Sequence, residues 1–316
     1  MKLKEKLWNW GHFEGSHNDI VPFECKMSPE AFAKEYGIEN SFIVSYGGNI
    51  QPPFNNLAER FSNLKQVKWS VLGDASSPLP DKELGNTDDV LDVLEVAKNI
   101  NGCVMDDFFS PERMERFSPK VLKKIQGKLN SNGLDFWCVL YDLKIFDDLT
   151  EYLDCFDGVS FWIWGCDKIV NMDKYLERYF DIAKNKKKML GVYLYDYLDD
   201  KTQPMDINLF EKQLSEYFDL LMHNKVDGVI FCSNTVELVF VFEDREPKTG
   251  ITLTHEGMRT TCIRLDKPLG EKGFTLGESV QYNVWVKSSV PVCACFGRLD
   301  VRQANMAYYS VEGYSF

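Results

Sequence analysis

Histidine is scarce in this 316-residue chain, four in all, and no pair is spaced His-x-His, so the metal-dependent amidohydrolase signature is missing. The nine cysteines fall mostly inside apolar runs (Cys103, Cys138, Cys232) and never as Cys-x-x-Cys. That argues for buried, reduced thiols rather than a disulfide framework or zinc site. Basic residues are outnumbered 36 to 48, a net charge of −12. No basic stripe exists to displace counterions, which argues against nucleic acid and anionic membranes as partners. The densest basic run, KNKKK at 184–188, is expected to be a solvated turn between a helix and a strand. No apolar run approaches the length of about 18 residues that a membrane span needs. The start, MKLKEKLWNWGHFEG, has basic residues without an apolar stretch behind them, so no signal peptide is read. The expected location is cytoplasmic, or secreted or periplasmic if a leader has been removed. No Gly-x-Gly-x-x-Gly follows an early strand, and there is no Gly-x-Ser-x-Gly elbow or Cys–His pairing. Dinucleotide binding and acyl transfer therefore lack support.

What the chain does have is aromatic residues, 14% of the total, and a regular alternation of strands with helices. Short apolar runs rich in Val, Ile, Phe, Tyr and Trp recur as LWNWGHF (near 7–13), SFIVSY (41–46), VKWSVLG (67–73) and GCVMDDF (102–108). They continue as DFWCVLYD (135–142), DGVSFWIWG (157–165), KMLGVYLYD (188–196) and VDGVIFCS (226–233). Their length and composition are those of buried parallel strands. Between them stand helix starts: Ser28-Pro29-Glu30 and Ser110-Pro111-Glu112 offer an N-cap, a first-turn proline and an acid. Asn56 to Glu59 has capping-box spacing, and Met205 to His223 keeps apolar residues at helical intervals. Eight strands alternating with helices over about 240 residues predict an α/β fold, a (β/α)8 TIM barrel, in preference to an open doubly wound sheet. The eighth helix, expected after Ser233 in TVELVFVFEDRE, reads as truncated or replaced. From 247 the texture alternates polar and apolar residues with Gly, Pro and Ser, which predicts a small β-rich C-terminal region. The expected organisation is a barrel over 1–246 and β structure over 247–316.

In such a barrel the functional groups sit at the C-terminal ends of the strands. Carboxylates collect there: Glu14 with His12 after strand 1, Asp74 after strand 3, Asp106 and Asp107 after strand 4, Asp142 after strand 5 and Asp196 after strand 7. Asp167 follows strand 6. Gathered at one partly desolvated mouth, they repel each other, which raises some pKa values and leaves one group protonated while another is ionised. Hydrolysis of a glycosidic bond needs that division. Each of these acids has a structural alternative as a helix cap or Asx-turn. For Asp106 and Asp107 that alternative is weak, because Ser110 takes the cap. Successive strand residues point to opposite faces, so one of the two is expected to face the mouth, and the sequence leaves open which.

Aromatic residues collect at the same ends: Trp8 and Trp10, Phe108 and Phe109, Trp162 and Trp164, and Tyr193, Tyr195 and Tyr197. Flat rings beside carboxylates suit a sugar, whose C–H faces stack on them; packing against helices is the alternative. Trp164 is the leading platform candidate, with Trp10, Tyr195, His12, Glu14 and Asp74 as further substrate contacts. The segments CVMDDFF, FDGVSFWIWG, KMLGVYLYDY with Pro204-Met205-Asp206, and VDGVIF resemble barrel proteins related to glycoside hydrolases, over roughly 100–235. The resemblance implies carboxylates on strands 4 and 7 or 4 and 6, hence Asp106 or Asp107 with Asp196, and an oligosaccharide or glycoside substrate. The chain departs from the commonest pattern in carrying Asp where an Asn-Glu pair stands on strand 4, and in lacking Glu at the end of strand 7. The roles of acid and nucleophile stay open, with Asp142 as another second carboxylate.

Two other readings compete. Asp74, Asp106 or Asp107 and Asp142 are oxygen ligands of the kind Mg²⁺ takes, which would make a lyase- or isomerase-type barrel. Strand 2, SFIVSYGG, lacks the lysine base of enolase-type barrels. His12, Glu14 and His17 form a weaker transition-metal set. Few basic residues line the loops (Lys144, Lys168), and Ser233-Asn234-Thr235 is a poor phosphate cradle, so phosphorylated substrates are not expected. The last reading is a non-catalytic barrel that binds glycan. The hydrolase reading needs no cofactor.

Overall fold

The computed structural model describes residues 3–20, 24–197 and 203–232, together with the short strands 239–242, 248–249, 282–284, 296–300 and 307–311. It divides into two compact units, Met1–Thr235 and Val236–Phe316. The first is a closed barrel of eight parallel strands: β1 (Leu7–Gly11), β2 (Asn40–Ile43), β3 (Gln66–Leu72), β4 (Ile100–Met105), β5 (Asp135–Tyr141), β6 (Gly158–Trp162), β7 (Lys187–Tyr193) and β8 (Gly228–Cys232). Each pairs with its sequence neighbours, and β8 closes on β1 with Trp8 opposite Ile230. This is the TIM barrel that the alternation predicts. Among the described residues, no helix is long and apolar enough to cross a membrane.

The helices are α1 (Pro29–Tyr36), α2 (Asn55–Ala58), α3 (Thr87–Leu91), α4 (Pro111–Arg116), α5 (Pro119–Ser131), α6 (Thr150–Leu153), α7 (Met172–Ile182) and α8 (Ile207–Met222). The Ser-Pro-Glu starts behave as their chemistry dictates: Ser28 accepts from Ala31 N and Ser110 from Arg113 N, each with proline in the first turn. Asp206 caps α8 by accepting from the amides of Asn208 and Leu209. The capping box expected at Asn56 does not form; α2 starts after Phe54, without a side-chain cap. The 184–188 run is no simple solvated turn. Lys187 and Lys188 open β7, Lys187 pairs with Asp135 at 2.6 Å, and Lys188 Nζ donates to carbonyls at the end of α7.

Strand pleating sorts the core into two layers. One face of each strand meets the helices through a large apolar cluster that includes Trp69, Cys103, Met105, Phe136, Phe161 and Val192. The other fills the barrel with Trp8, Trp10, Phe42, Val104, Trp137, Val139, Trp162, Met189, Tyr193, Ile230 and Cys232. The glycines of the DGV and LGV runs make this filling possible. A Cβ on Gly158 would lie 2.4 Å from the Trp137 ring, and one on Gly191 only 2.0 Å from that of Trp162. At the base the buried Lys68 ammonium sits over the rings of Trp8 and Trp137, at 5.3 and 4.9 Å.

In the second unit the described pieces are all strands: β9 (Val239–Phe242), β10 (Lys248–Thr249), β11 (Tyr282–Val284), β12 (Phe296–Asp300) and β13 (Ala307–Val311). β9 pairs antiparallel with β10 and β11, and β12 with β13. Val239–Phe242 is thus a strand where an eighth barrel helix was a possibility. Ser233-Asn234-Thr235 and His255 lie outside the described residues.

Candidate active site at the barrel mouth

Period-two pleating decides which predicted acids reach the mouth. On β4, Val104 points into the barrel, so Asp106 follows it inward. The ladder ends at Met105, and the chain then turns through Asp107, whose φ of 43° lies in the left-handed region. That turn breaks the alternation and corrects the expectation that a single member of the pair faces the mouth. Asp107 Oδ1 accepts from the hydroxyl of Tyr141 (2.7 Å), an inward residue of β5, and its Oδ2 accepts from Ala75 N (2.8 Å).

Asp106 is buried, and Asp107 N donates to its Oδ1 at 2.9 Å. Burial pushes the Asp106 carboxyl well above the usual range, and the charges of Asp107 and Asp74 push it the same way; Arg113 opposes them. The site therefore sets a desolvated carboxyl, its pKa raised, beside a second carboxyl on a single lip. Arg113, unremarked in the sequence, fixes that lip. Its buried guanidinium donates to the carbonyls of Gly73 (2.6 Å), Asp106 (2.7 Å) and Asp74. With its donors on backbone carbonyls, it braces the ends of β3 and β4.

The walls are aromatic. Trp164 stacks on Tyr197 (5.8 Å, 22°) and meets Tyr193 and Tyr141 edge-on at 5.5 and 5.8 Å. Burial raises the phenol pKa values of Tyr141, Tyr193 and Tyr197, so all three remain neutral donors. The Asp107 carboxylate reaches both Tyr141 and Tyr193 and pushes them the same way. Tyr141 is the mouth residue that sequence reasoning missed, although parity carried the signal: Trp137 and Val139 face inward, so Tyr141 must. On the β1 side, His12 meets His17 at 4.2 Å, and His17 lies 4.4 Å from Tyr46. Burial lowers both imidazoles, His17 to about 4, with the neighbouring His17 also lowering His12. These histidines are neutral at pH 7.

The same parity turns other candidates away. Asp142 follows inward Tyr141 and therefore points outward. Its carboxylate is enclosed, accepting from Trp164 N (2.7 Å) and pairing with Lys168 (2.5 Å). It holds the backbone at Trp164 instead of reaching the mouth. Asp196 lies past the end of β7, in a short antiparallel pairing of Tyr195–Asp196 with Gln203–Pro204. It is buried, and the Cys166 thiol donates to it at 2.9 Å. Burial and that carboxylate hold the thiol up at about 12, so Cys166 is no thiolate. Glu14 is bound to Arg60 at 2.9 Å, alongside Glu30. Asp74 stays near the pair, held by the hydroxyls of Ser76 (2.5 Å) and Ser77 (2.6 Å) and by Gly47 N (3.1 Å). Trp10 is a barrel-filling residue, packed against Phe42 and Trp162. Tyr195 is buried, 6.4 Å from Tyr197.

The Mg²⁺ triad proposed from strands 3, 4 and 5 loses Asp142 to Lys168. Among the described residues, no three His, Cys, Asp or Glu side chains are grouped to hold a metal ion.

Residues 229–315 match the family model described as Anabaena sensory rhodopsin transducer. No curated protein matches the chain in sequence. In structure the chain is similar to glycoside hydrolase barrels. An intracellular xylanase from Thermoanaerobacterium saccharolyticum is 11% identical over 73% of this chain and 87% of that one, with a TM-score of 0.48. The spore cortex-lytic enzyme SleL from Bacillus megaterium is 13% identical over 72% and 70%, with a TM-score of 0.45. A GH128 endo-β-1,3-glucanase from Amycolatopsis mediterranei, in complex with laminaritriose, is 12% identical over 73% and 89%, with a TM-score of 0.44.

Proposed function

We propose that the protein hydrolyses a glycosidic bond of an oligosaccharide or glycoside seated on the aromatic wall of the barrel mouth. Asp106 is the general acid, Asp107 the charged carboxylate beside it, and Trp164 with Tyr197 the stacking platform. The observation that carries this reading is the consecutive carboxyl pair, one member desolvated with its pKa raised, framed by rings that offer C–H-stacking surfaces. A carboxyl that keeps its proton at neutral pH has what protonation of a leaving glycosyl oxygen requires. The reaction proposed needs no metal, so treatment with a chelator is expected to leave the rate unchanged.

The test is a panel of 4-nitrophenyl glycosides and reduced oligosaccharides assayed with wild type and Asp106→Asn. Loss of a general acid is expected to cut turnover by about 10²- to 10⁴-fold, while saccharide binding, followed by tryptophan fluorescence, persists. Wild-type protein that binds saccharide and turns none over would instead make the barrel a glycan-binding module.

A further inference from the structure

We infer that a cavity on the outer side of the barrel wall is a second binding site, and that its ligand is a small organic amine, cationic at one end and apolar along its body. The cavity lies apart from the aromatic mouth, and its chemistry does not depend on the hydrolase reading.

Parity places it outside the barrel. Ile43 and Trp69 belong to the helix-facing side of β2 and β3, whereas Phe42 and Val44 fill the interior. Over that outer side, the loops that follow the two strands enclose a cavity of about 410 Å³. Its floor is Ile43, Ile50, Phe54 and Trp69, and Pro52, Pro78 and Pro80 stand around it. The volume falls within the range of roughly 300–1,000 Å³ that small-molecule sites occupy. The protein itself fixes the walls. Arg116 donates to the carbonyls of Asp81 (3.1 Å) and Lys82 (2.7 Å), and Gly48 N donates to Ser77 Oγ at 2.9 Å. Gly48 has a φ of 73°, and a Cβ on it would lie 2.7 Å from Pro78 Cδ, so glycine is what lets the two loops meet. Walls set beforehand spare a ligand the cost of ordering them.

The polar groups that remain for a ligand are mostly acceptors. Ser45 donates to Ile50 O (3.5 Å) and Ser77 to Asp74 Oδ1 (2.6 Å), so each hydroxyl has a lone pair left to offer and no proton. Gln51 donates from Nε2 to Gly48 O at 3.1 Å and keeps its carbonyl oxygen. Asn86 precedes α3 without capping it through its side chain, which leaves its carboxamide to a ligand. Charge points the same way. Lys82, the basic residue of the lining, is held by both oxygens of Asp89, at 2.6 and 2.7 Å. Asp81, exposed at the rim, makes no ion pair among the described residues. An anion would meet that carboxylate and an ammonium already engaged. A cation meets acceptors and an unpaired carboxylate, and the net charge of −12 draws it in. The carbon body of the amine then covers Ile50, Phe54 and the proline rings, and removes their apolar surface from water.

Isothermal titration calorimetry on the full chain tests this with 2-phenylethylamine, cyclohexylmethylamine and 1-aminohexane. The alcohol 2-phenylethanol and the carboxylate 3-phenylpropanoate serve as matched neutral and anionic compounds. At least one amine is expected to bind with a Kd below about 1 mM, and the alcohol about tenfold or more weakly than 2-phenylethylamine. The carboxylate should give no binding heat. Asp81→Asn, at an exposed position that leaves the fold intact, should weaken the amine about three- to tenfold. Glu95→Gln removes an exposed acid outside the lining and should leave the affinity unchanged. Ile50→Trp fills the cavity and should abolish binding, with far-UV circular dichroism reporting the fold. No heat from any amine up to about 10 mM, or a carboxylate bound as tightly as 2-phenylethylamine, overturns the proposal. So does an affinity that Asp81→Asn leaves unchanged, and binding that persists in folded Ile50→Trp shows that the amine sits elsewhere and overturns it too. None of these measurements involves glycoside turnover, so the outcome is separate from that of the hydrolase reading.

Discussion

The layered filling of the barrel makes a sharp demand at Gly191, and Gly191→Ala tests it. The added Cβ would lie 2.0, 2.1 and 2.3 Å from three carbons of the Trp162 indole, where carbon atoms in contact stand about 3.5–4.0 Å apart. The ring has nowhere to go. Trp162 is 2% exposed, abuts Trp10 and Tyr193 with centroids at 5.1 Å, and donates from Nε1 to Ser160 Oγ at 3.1 Å. Overpacking a well-filled core costs about 1–3 kcal/mol, and displacing the indole from its buried partner adds about 1–3 kcal/mol. The expected loss is therefore about 2–6 kcal/mol, a large part of the roughly 5–15 kcal/mol that holds a domain together. Gly127→Ala is the control: it lies exposed in α5, with nothing within 4 Å of the new methyl. Relief of the helix penalty of glycine should stabilise the fold by about 0.5–1 kcal/mol. Urea unfolding followed by far-UV circular dichroism reads both. Gly191→Ala within about 1 kcal/mol of wild type, against the cost expected of overpacking, with unchanged near-UV signal, would refute the packing on which the position of Trp164 and Tyr193 depends.

Lys68 carries a second prediction. Burial depresses its ammonium from 10.5 to about 8, against the opposing pull of Asp135. The unfolded chain binds the extra proton between those values, so stability should rise as pH climbs from about 8 to 10.5. Lys68→Met should abolish that rise and stabilise the protein at pH 7 by about 1–3 kcal/mol; a wild-type unfolding midpoint flat across that window would contradict it. Arg113→Ala leaves the buried carbonyls of Gly73 and Asp106 without its guanidinium donor, an expected cost of about 2 kcal/mol or more by calorimetry; the reasoning fails if the melting curve is unmoved. Because Asp106 must hold its proton to act, the acidic limb of hydrolysis should persist up to its raised pKa and fall as pH rises through it. In a pH–rate profile, a rate that increased through that limb would contradict the assignment.

Much of the site was legible because it depends on strand ends and pleating. Asp106, Trp164 and Tyr193 share the inward phase of Val104, Trp162 and Gly191, and that phase could be counted from the chain. The same count, applied further, would have removed Asp142 and promoted Tyr141. Asp107 could not be found this way. Its approach to Tyr141 depends on a left-handed residue just past the ladder, and Asp is among the residues that tolerate that conformation without being required to adopt it. Arg113 was equally opaque, since nothing in SPERMER marks one arginine as the residue that turns inward.

The chain alone determined the barrel, through eight β-branched and aromatic runs at regular spacing and glycines placed beneath tryptophans. Local propensity and period-two burial act over a few residues, so they can be read in order along the sequence. Only the tertiary structure decided which acids meet. Pairing Asp107 with Tyr141, and spending Asp142 on Lys168, are contacts between separate strands and loops. Their energy depends on distances and desolvation that exist only once the barrel has closed.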